Sequence, residues 1–388
     1  MKEKINGVNL GGWLVLEKWM TPNVFYNVQA DDEYYLPYDL SKEAYETRIM
    51  MHRNEFITEG DFLKIAADGF NMVRIPVPYF IFGDRQPYIG CVEELDKAFN
   101  WAKAYGLKIL IDLHTAPMSQ NGFDNGGLSG VCRWAQLPEE VEFELSVLER
   151  LAERYGHHEA LFGIEAINEP ITQKMWNEMN PAERFPARDS EMARQNQPIE
   201  IDFLFNWYNE VYNRIKSLLA EDKYIVFHDA FELHSWKEFF ANRNFENVIL
   251  DTHQYLMIAE QNNTEQSVDG YKQYLSNMKK EIEEVAQYVE VIVGEWCLFN
   301  SYAVGLDTKG GLNPTQVEFS DNRRLDKETL KEVYQELWKA SLEAWNVSSG
   351  HFYWTYKLNI DTINSPDWYG WDAWDASRCV AHQWIVND

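Results

Sequence analysis

The sequence predicts an α/β fold: a single (β/α)8 barrel over residues 1–388, with long loops after strands four and seven. Three observations predict it. Eight short runs, nearly all apolar and rich in β-branched residues, recur along the chain, as buried parallel strands do. Longer stretches with helical periodicity separate most of them, which is the alternation of an α/β barrel. Polar residues collect where the runs end, and a barrel keeps its reacting groups at the C-terminal ends of its strands.

In order, the first run is Ile5–Leu10. A helix at Asp61–Ala67 precedes the second, Phe70–Ile75, and Val92–Tyr105 precedes the third, Leu107–Leu113. Glu139–Tyr155 leads to Leu161–Asn168, and Asp202–Ala220 to Lys223–His228. Asn247–Thr252 is the sixth run, Tyr271–Tyr288 leads to Glu290–Gly294, and Lys327–Trp345 to Gly350–Trp354. Gly69, Gly106 and Gly156 stand where a left-handed residue closes a helix. A doubly wound sheet needs fewer strands, and no GxGxxG follows the first run. Ile171–Glu200 and Cys297–Asp326 exceed the roughly 2–6 residues of an ordinary βα connection, so both are expected over the catalytic face.

The 388 residues are 45% hydrophobic and 15% aromatic, enough to bury a large core without disulfide staples. With 35 basic and 62 acidic residues the net charge is −27, and a surface that acidic repels phosphate backbones and anionic lipid. Nucleic-acid and membrane partners are therefore not expected, and no run approaches the ~20 apolar residues of a span. Cys91, Cys132, Cys297 and Cys379 are sparse, form no CxxC pair and read as thiols in a reducing compartment. No apolar leader precedes Ile5, so the expected location is cytoplasmic. No HExxH and no Cys/His quartet occurs, so neither a metal nor another cofactor is expected. His157, His158, His228 and His234 read as capping or surface residues.

Arg74 is expected to end strand two, and Asp112 and His114 strand three. Asn168 and Glu169 follow strand four; Asp251, His253 and Tyr255 follow strand six; Glu295 ends strand seven and Trp354 strand eight. Any one of these could be a satisfied buried polar group, but together they mark a site. Glu169 and Glu295 both stand in apolar surroundings, on strands that face each other across a barrel mouth. Two carboxylates across a sugar-sized gap are what glycoside hydrolysis needs. One protonates the leaving oxygen, and the other attacks the anomeric carbon or activates water. Asn168 can hydrogen-bond a sugar hydroxyl, and Arg74 can keep a neighbouring nucleophile ionised.

The sequence resembles glycoside hydrolase family 5. Asn168-Glu169-Pro170 and Gly294-Glu295-Trp296 look like its acid/base and nucleophile motifs. The segments from Gly7 to Glu17 and from Asp112 to Asn125 resemble its exo-β-1,3-glucanase branch. The resemblance implies a retaining double displacement with Glu169 as acid/base and Glu295 as nucleophile, the carboxyls about 5–5.5 Å apart. Glu169 is then expected protonated and Glu295 ionised. Arg74, His114, Asn168, His253 and Tyr255 would surround the −1 sugar, with Trp354 beneath it. Glu17 and Asp124 would hold hydroxyls of the terminal glucose, and Phe123 would wall the +1 site. The implied substrate is a β-glucoside or a small β-glucan oligosaccharide.

Two departures limit the transfer. That branch has a second Phe three positions after Tyr255, where this chain has Ile258, and its Arg-containing loop after the nucleophile is not recognisable between Cys297 and Asp326. The −1 chemistry transfers and the 1,3-linkage preference does not. The reading is an exo-acting β-glucosidase with a loose or non-sugar aglycone site served by Ile171–Glu200. The alternatives are an endo-β-1,4-glucanase of the same family and an inert carbohydrate-binding relative. Long loops favour a pocket over an open cleft, and the retained Arg74 and Tyr255 favour an enzyme. Met175, Trp176 and Met179 are either a lid over the acceptor or a packing cluster. Cys297 reads as a small buried side chain. Trp368, Trp371, Trp374 and Trp384 read as core packing, with Trp368 the first candidate for a sugar contact.

Overall fold

The eight strands are β1 (Ile5–Asn9), β2 (Met72–Val77), β3 (Lys108–Leu113), β4 (Leu161–Glu165), β5 (Tyr224–His228), β6 (Val248–His253), β7 (Glu290–Trp296) and β8 (Gly350–Tyr353). Each pairs in parallel with the next, and β8 pairs with β1 to close the barrel. The computed structural model describes residues 4–262, 264–305, 325–362 and 370–387. Trp368, and most of the second long loop, lie outside the described residues.

Helices at Glu59–Ala67, Val92–Tyr105, Pro138–Tyr155, Ile201–Ile215, Val268–Val285 and Lys327–Trp345 fall where the sequence predicts them. Each buries one stripe, as Ile201–Ile215 does with Leu204, Trp207, Tyr208, Val211 and Ile215, the spacing of an amphipathic helix. A further helix, Trp236–Ala241, is too short to show a period in the sequence. Gly69 and Gly106 close their helices at φ +89° and +73°. Gly156 does not: its φ of −55° is ordinary helix. A side chain there would meet the Leu218 carbonyl at 2.2 Å, so close approach rather than a left-handed cap requires the glycine.

Side chains alternate along a strand, so residues two apart share the barrel interior. Ile5, Met72, Leu110, Val226, Ile249, Ile292 and Phe352 form one apolar cluster that plugs the N-terminal half of the interior. Gly7 leaves room for it, since a Cβ there would meet the Phe352 ring at 2.2 Å. Two residues further along each strand, the same inward phase carries Arg74, Asp112, His228, Asp251 and Gly294. The polar layer therefore follows from strand period, one step above an apolar floor.

Several strand boundaries differ from the sequence reading: β6 runs through His253 and β7 through Trp296, so Asp251, His253 and Glu295 lie within their strands, and two other differences bear on the site. Phe70 donates its N–H to Ile65 O, finishing the preceding helix rather than starting β2. Arg74 accordingly sits mid-strand, not at its end. β4 stops at Glu165, and the chain turns at Glu169 with φ +43° before Pro170. Asn168 and Glu169 are thus in the turn, not the strand. Strain of roughly 1–3 kcal/mol is typical of such a backbone. It is held by Gln120 Nε2 on Asn168 O (2.8 Å) and Asn121 Nδ2 on Glu169 O (3.2 Å).

The loop after β4 is not structureless: it carries short helices at Gln173–Met179, Pro181–Arg184 and Ser190–Ala193. All four cysteines are free and buried. Among the described residues no helix is long and apolar enough to cross a membrane.

Candidate active site

Above the apolar floor, one wholly buried cation organises the barrel. Arg74 donates from Nε to Glu165 Oε2 (2.7 Å), from Nη1 to Glu295 Oε1 (2.8 Å) and Asn9 Oδ1 (3.0 Å), and from Nη2 to Asn168 Oδ1 (2.8 Å). Asp112 Oδ2 lies 3.2 Å from Nη2 and Asp251 Oδ2 3.9 Å from Nε. Burial opposes the charge on Arg74, but Asp112, Glu165 and Glu295 hold its pKa well above the ordinary value. Burial drives the Glu165 carboxyl well up despite Arg74, and Asp251 and Asp112 add to the rise. Glu165 thus relieves the excess of carboxylates around a single guanidinium.

Glu295 is fixed at both oxygens, Oε1 by Arg74 and Oε2 by the Tyr255 hydroxyl at 2.7 Å. Gly294 is needed beside it. Its N–H donates to Asp251 Oδ1, and a Cβ would lie 1.8 Å from Asp251 Oδ2. Glu169 is likewise held twice: Asn125 Nδ2 donates to Oε2 (2.7 Å) and His253 Nδ1 lies 2.7 Å from Oε1. The same His253 Nδ1 is 3.4 Å from Glu295 Oε2. Two contacts to one nitrogen bring one oxygen of each carboxylate within about 6 Å of the other, compatible with the close pairing of a retaining site.

The remaining predicted residues converge on this pair. His114 Nδ1 is held by Asp112, its Nε2 is 3.4 Å from Asn168 Nδ2, and its ring stacks on Trp354 at 5.7 Å and 7°. Glu17 is buried and accepts from Trp19 Nε1 at 2.8 Å. Glu17, Phe123, Asp124, Glu169, Tyr255, Glu295 and Trp354 all line one cavity.

The ionisation order is the reverse of the sequence expectation. Burial raises Glu295 above the ordinary glutamate value of 4.5, with Glu169 adding to the rise against His253 and Arg74. Burial also acts to raise Glu169, but the hydrogen bond and charge of His253, with Asn125, outweigh it and leave Glu169 low. His253 is the reason: although burial opposes its charge, Glu295, Asp251 and Glu169 hold it well above an ordinary histidine. His253 thus stands between the two acids, 2.7 Å from Glu169 and 3.4 Å from Glu295. Burial pushes Asp124 up to about 6, and Glu17 well up, each helped by nearby carboxylates.

A pH profile follows. A nucleophile must be ionised, and burial raises Glu295 above 4.5, so kcat/KM should fall as pH drops through a value higher than that. An acid limb below pH ~4 in the wild-type profile would contradict the role of Glu295.

Several functional positions escape the sequence reading. Glu165 and Asn9 had a usable signal, since each is a polar residue inside an apolar run at the inward phase. His228 is a correction: it is fully buried, its ring 4.4 Å from that of His253, and not a surface residue. Phe231 lines the cavity from a turn after β5, at φ +60°, which no sequence pattern marks. The single aromatic wall expected at Phe123 is also corrected, because Phe185 lies 5.7 Å from it and Phe231 joins the lining. Met175, Trp176 and Met179 pack with Phe123 as a cluster, and Met175 and Met179 also line the cavity. Trp371 and Trp374 are buried and line it too, with Trp19 and Phe299. Trp384 packs on Tyr334, and Cys297 is buried.

A parallel barrel with two buried carboxylates at its C-terminal mouth defines the class of glycoside hydrolases, and comparison with known proteins agrees. The family model described as Cellulase (glycosyl hydrolase family 5) matches residues 38–325. A probable glucan 1,3-beta-glucosidase A of Emericella nidulans is 33% identical over 97% of this chain and 89% of its own length. A glucan 1,3-beta-glucosidase of Kluyveromyces lactis is 30% identical over 93% and 85%. The crystal structure of a rutinosidase from Aspergillus niger shares the fold, with a TM-score of 0.74, 21% identity and coverage of 99% and 98%. The chain belongs to glycosyl hydrolase family 5 and is a glycoside hydrolase.

Proposed function

We propose that this enzyme is a retaining, exo-acting β-glucosidase that releases the terminal glucose of β-glucosides. One observation carries the reading: Glu169 and Glu295 meet at a single imidazole nitrogen, 2.7 and 3.4 Å from it, a close pairing of the kind a retaining site uses. Glu295, oriented by Arg74 and Tyr255, attacks C1 as the C1–O bond breaks. Glu169 gives its proton to the departing oxygen. Glu169 then takes a proton from water, whose oxygen displaces Glu295 from C1 and yields β-glucose. His253 supplies the proton that Glu169 delivers, along their 2.7 Å contact, and takes back the proton that Glu169 later receives from water.

Exo action is supported by Glu17, Trp19, Trp371 and Trp374, which wall the cavity from the β1 and β8 sides. Glu17 and Asp124, both raised, can donate as well as accept at the hydroxyls of a terminal sugar. The names of the fungal relatives support a β-1,3-linked glucan end as one substrate. A cytoplasmic location belongs to the same proposal, since four buried free thiols fit a reducing compartment. Activity recovered chiefly from the culture medium would argue against it.

The test is a reducing-end-labelled laminari-oligosaccharide. The expected product is a ladder that shortens by one glucose at a time while keeping its label. Internal cuts in this oligomer would contradict exo action, and internal cuts in a cello-oligosaccharide would favour the endo-β-1,4-glucanase. Binding without cleavage would favour the inert relative.

A further inference from the structure

The cavity has two unlike halves. Glu17 and Trp19 follow β1, Phe299 follows β7, and Trp354, Trp371 and Trp374 follow β8. With Asp124, that side carries the acceptors and donors a sugar needs. The other half is built after β4, β5 and β6, on the side of Glu169. Its walls are Met175, Met179, Phe185, Phe231, Met257 and Ile258. A buried hydroxyl left without a partner costs free energy, so walls of this composition disfavour a hydroxyl-studded ring. Flat apolar rings suit aromatic faces, and methionine side chains repack around varied shapes.

Besides Glu169, a cation stands in that apolar half among the described residues. Arg184 lines it, half-buried, on the short helix Pro181–Arg184. Its hydrogen bonds go to Met179 Sδ (3.5 Å) and Gln261 Oε1 (3.0 Å). It enters no ion pair among the described residues, although the chain has 62 acidic residues and 35 basic ones. Neighbouring Glu183 is instead bound by Asn180 Nδ2. A guanidinium with no ion pair among the described residues, inside a substrate cavity, is available to an anion on the ligand.

We propose that the leaving group is an apolar, aromatic aglycone bearing an acidic substituent, with its ring between Phe123, Phe231 and the methionines and its anion on Arg184. The inference rests on Glu169 as the acid, because the aglycone must lie on the side from which its oxygen is protonated. Of the loose or non-sugar aglycone site that the sequence suggests, this proposal takes the non-sugar form and makes it selective.

The test compares kcat/KM for 4-carboxyphenyl β-glucoside, 4-carbamoylphenyl β-glucoside and laminaribiose, in the wild type and in Arg184→Gln. The carbamoyl phenol is the better leaving group, so intrinsic reactivity runs against the expected order. The wild type should prefer the carboxylate over the amide by about tenfold, a usual size for one charge-assisted contact, and both over laminaribiose. In Arg184→Gln the carboxylate-to-amide ratio should collapse to that set by leaving-group reactivity. A wild type that favours laminaribiose, or a ratio that Arg184→Gln does not move, would overturn the proposal while leaving the β-glucosidase reading intact. Failure to cleave any of the three would overturn both.

Discussion

Replacing Glu295 with Ala should remove essentially all turnover of an aryl β-glucoside, a loss on the order of 10^5-fold, because no other group can form the bond to C1. Arg74 and Tyr255 hold the two oxygens of Glu295 in the native site, and deleting the carboxylate opens space on that face of the sugar. Azide should enter there and restore part of the rate. Because it attacks from the face opposite the leaving group, the product should be the α-glucosyl azide. A β-azide from this variant would reverse the two assignments. Circular dichroism of the variant separates lost chemistry from lost fold, a needed control beside a buried guanidinium.

Replacing Glu169 with Ala should cost about 10^2–10^4-fold on substrates with poor leaving groups, the usual range for a general acid–base. The loss should shrink for a 2,4-dinitrophenyl glucoside, whose first step needs little protonation. The glycosyl-enzyme should then accumulate, and azide should release it as the β-glucosyl azide. A uniform loss across leaving groups would mean that Glu169 positions the substrate instead of protonating it.

The barrel was legible because its information is local and periodic. Runs such as Leu107–Leu113 or Gly350–Trp354 are apolar over a strand's length, and Val92–Tyr105 and Lys327–Trp345 show a helical stripe bounded by caps. Glu295 was legible for the same reason, as charge placed where the strand pattern demands an apolar residue, and Glu169 as charge where the fourth apolar run stops. Phe70 misled because a residue that finishes a helix and one that begins a strand are equally apolar. The acceptor half was not legible. Phe231, Met179, Phe185 and Arg184 are brought together by turns and short helices with no period of their own. The ionisation order escaped because it depends on His253 standing between both acids, a distance relation across strands that no linear pattern encodes.

The most direct measurement is the anomeric configuration of the first-formed glucose, followed by proton NMR during rapid hydrolysis of an aryl β-glucoside, before mutarotation. The close pairing of Glu169 and Glu295 at His253 calls for a covalent intermediate on Glu295, so β-glucose should appear first and α-glucose only later. α-Glucose as the first product would contradict the account.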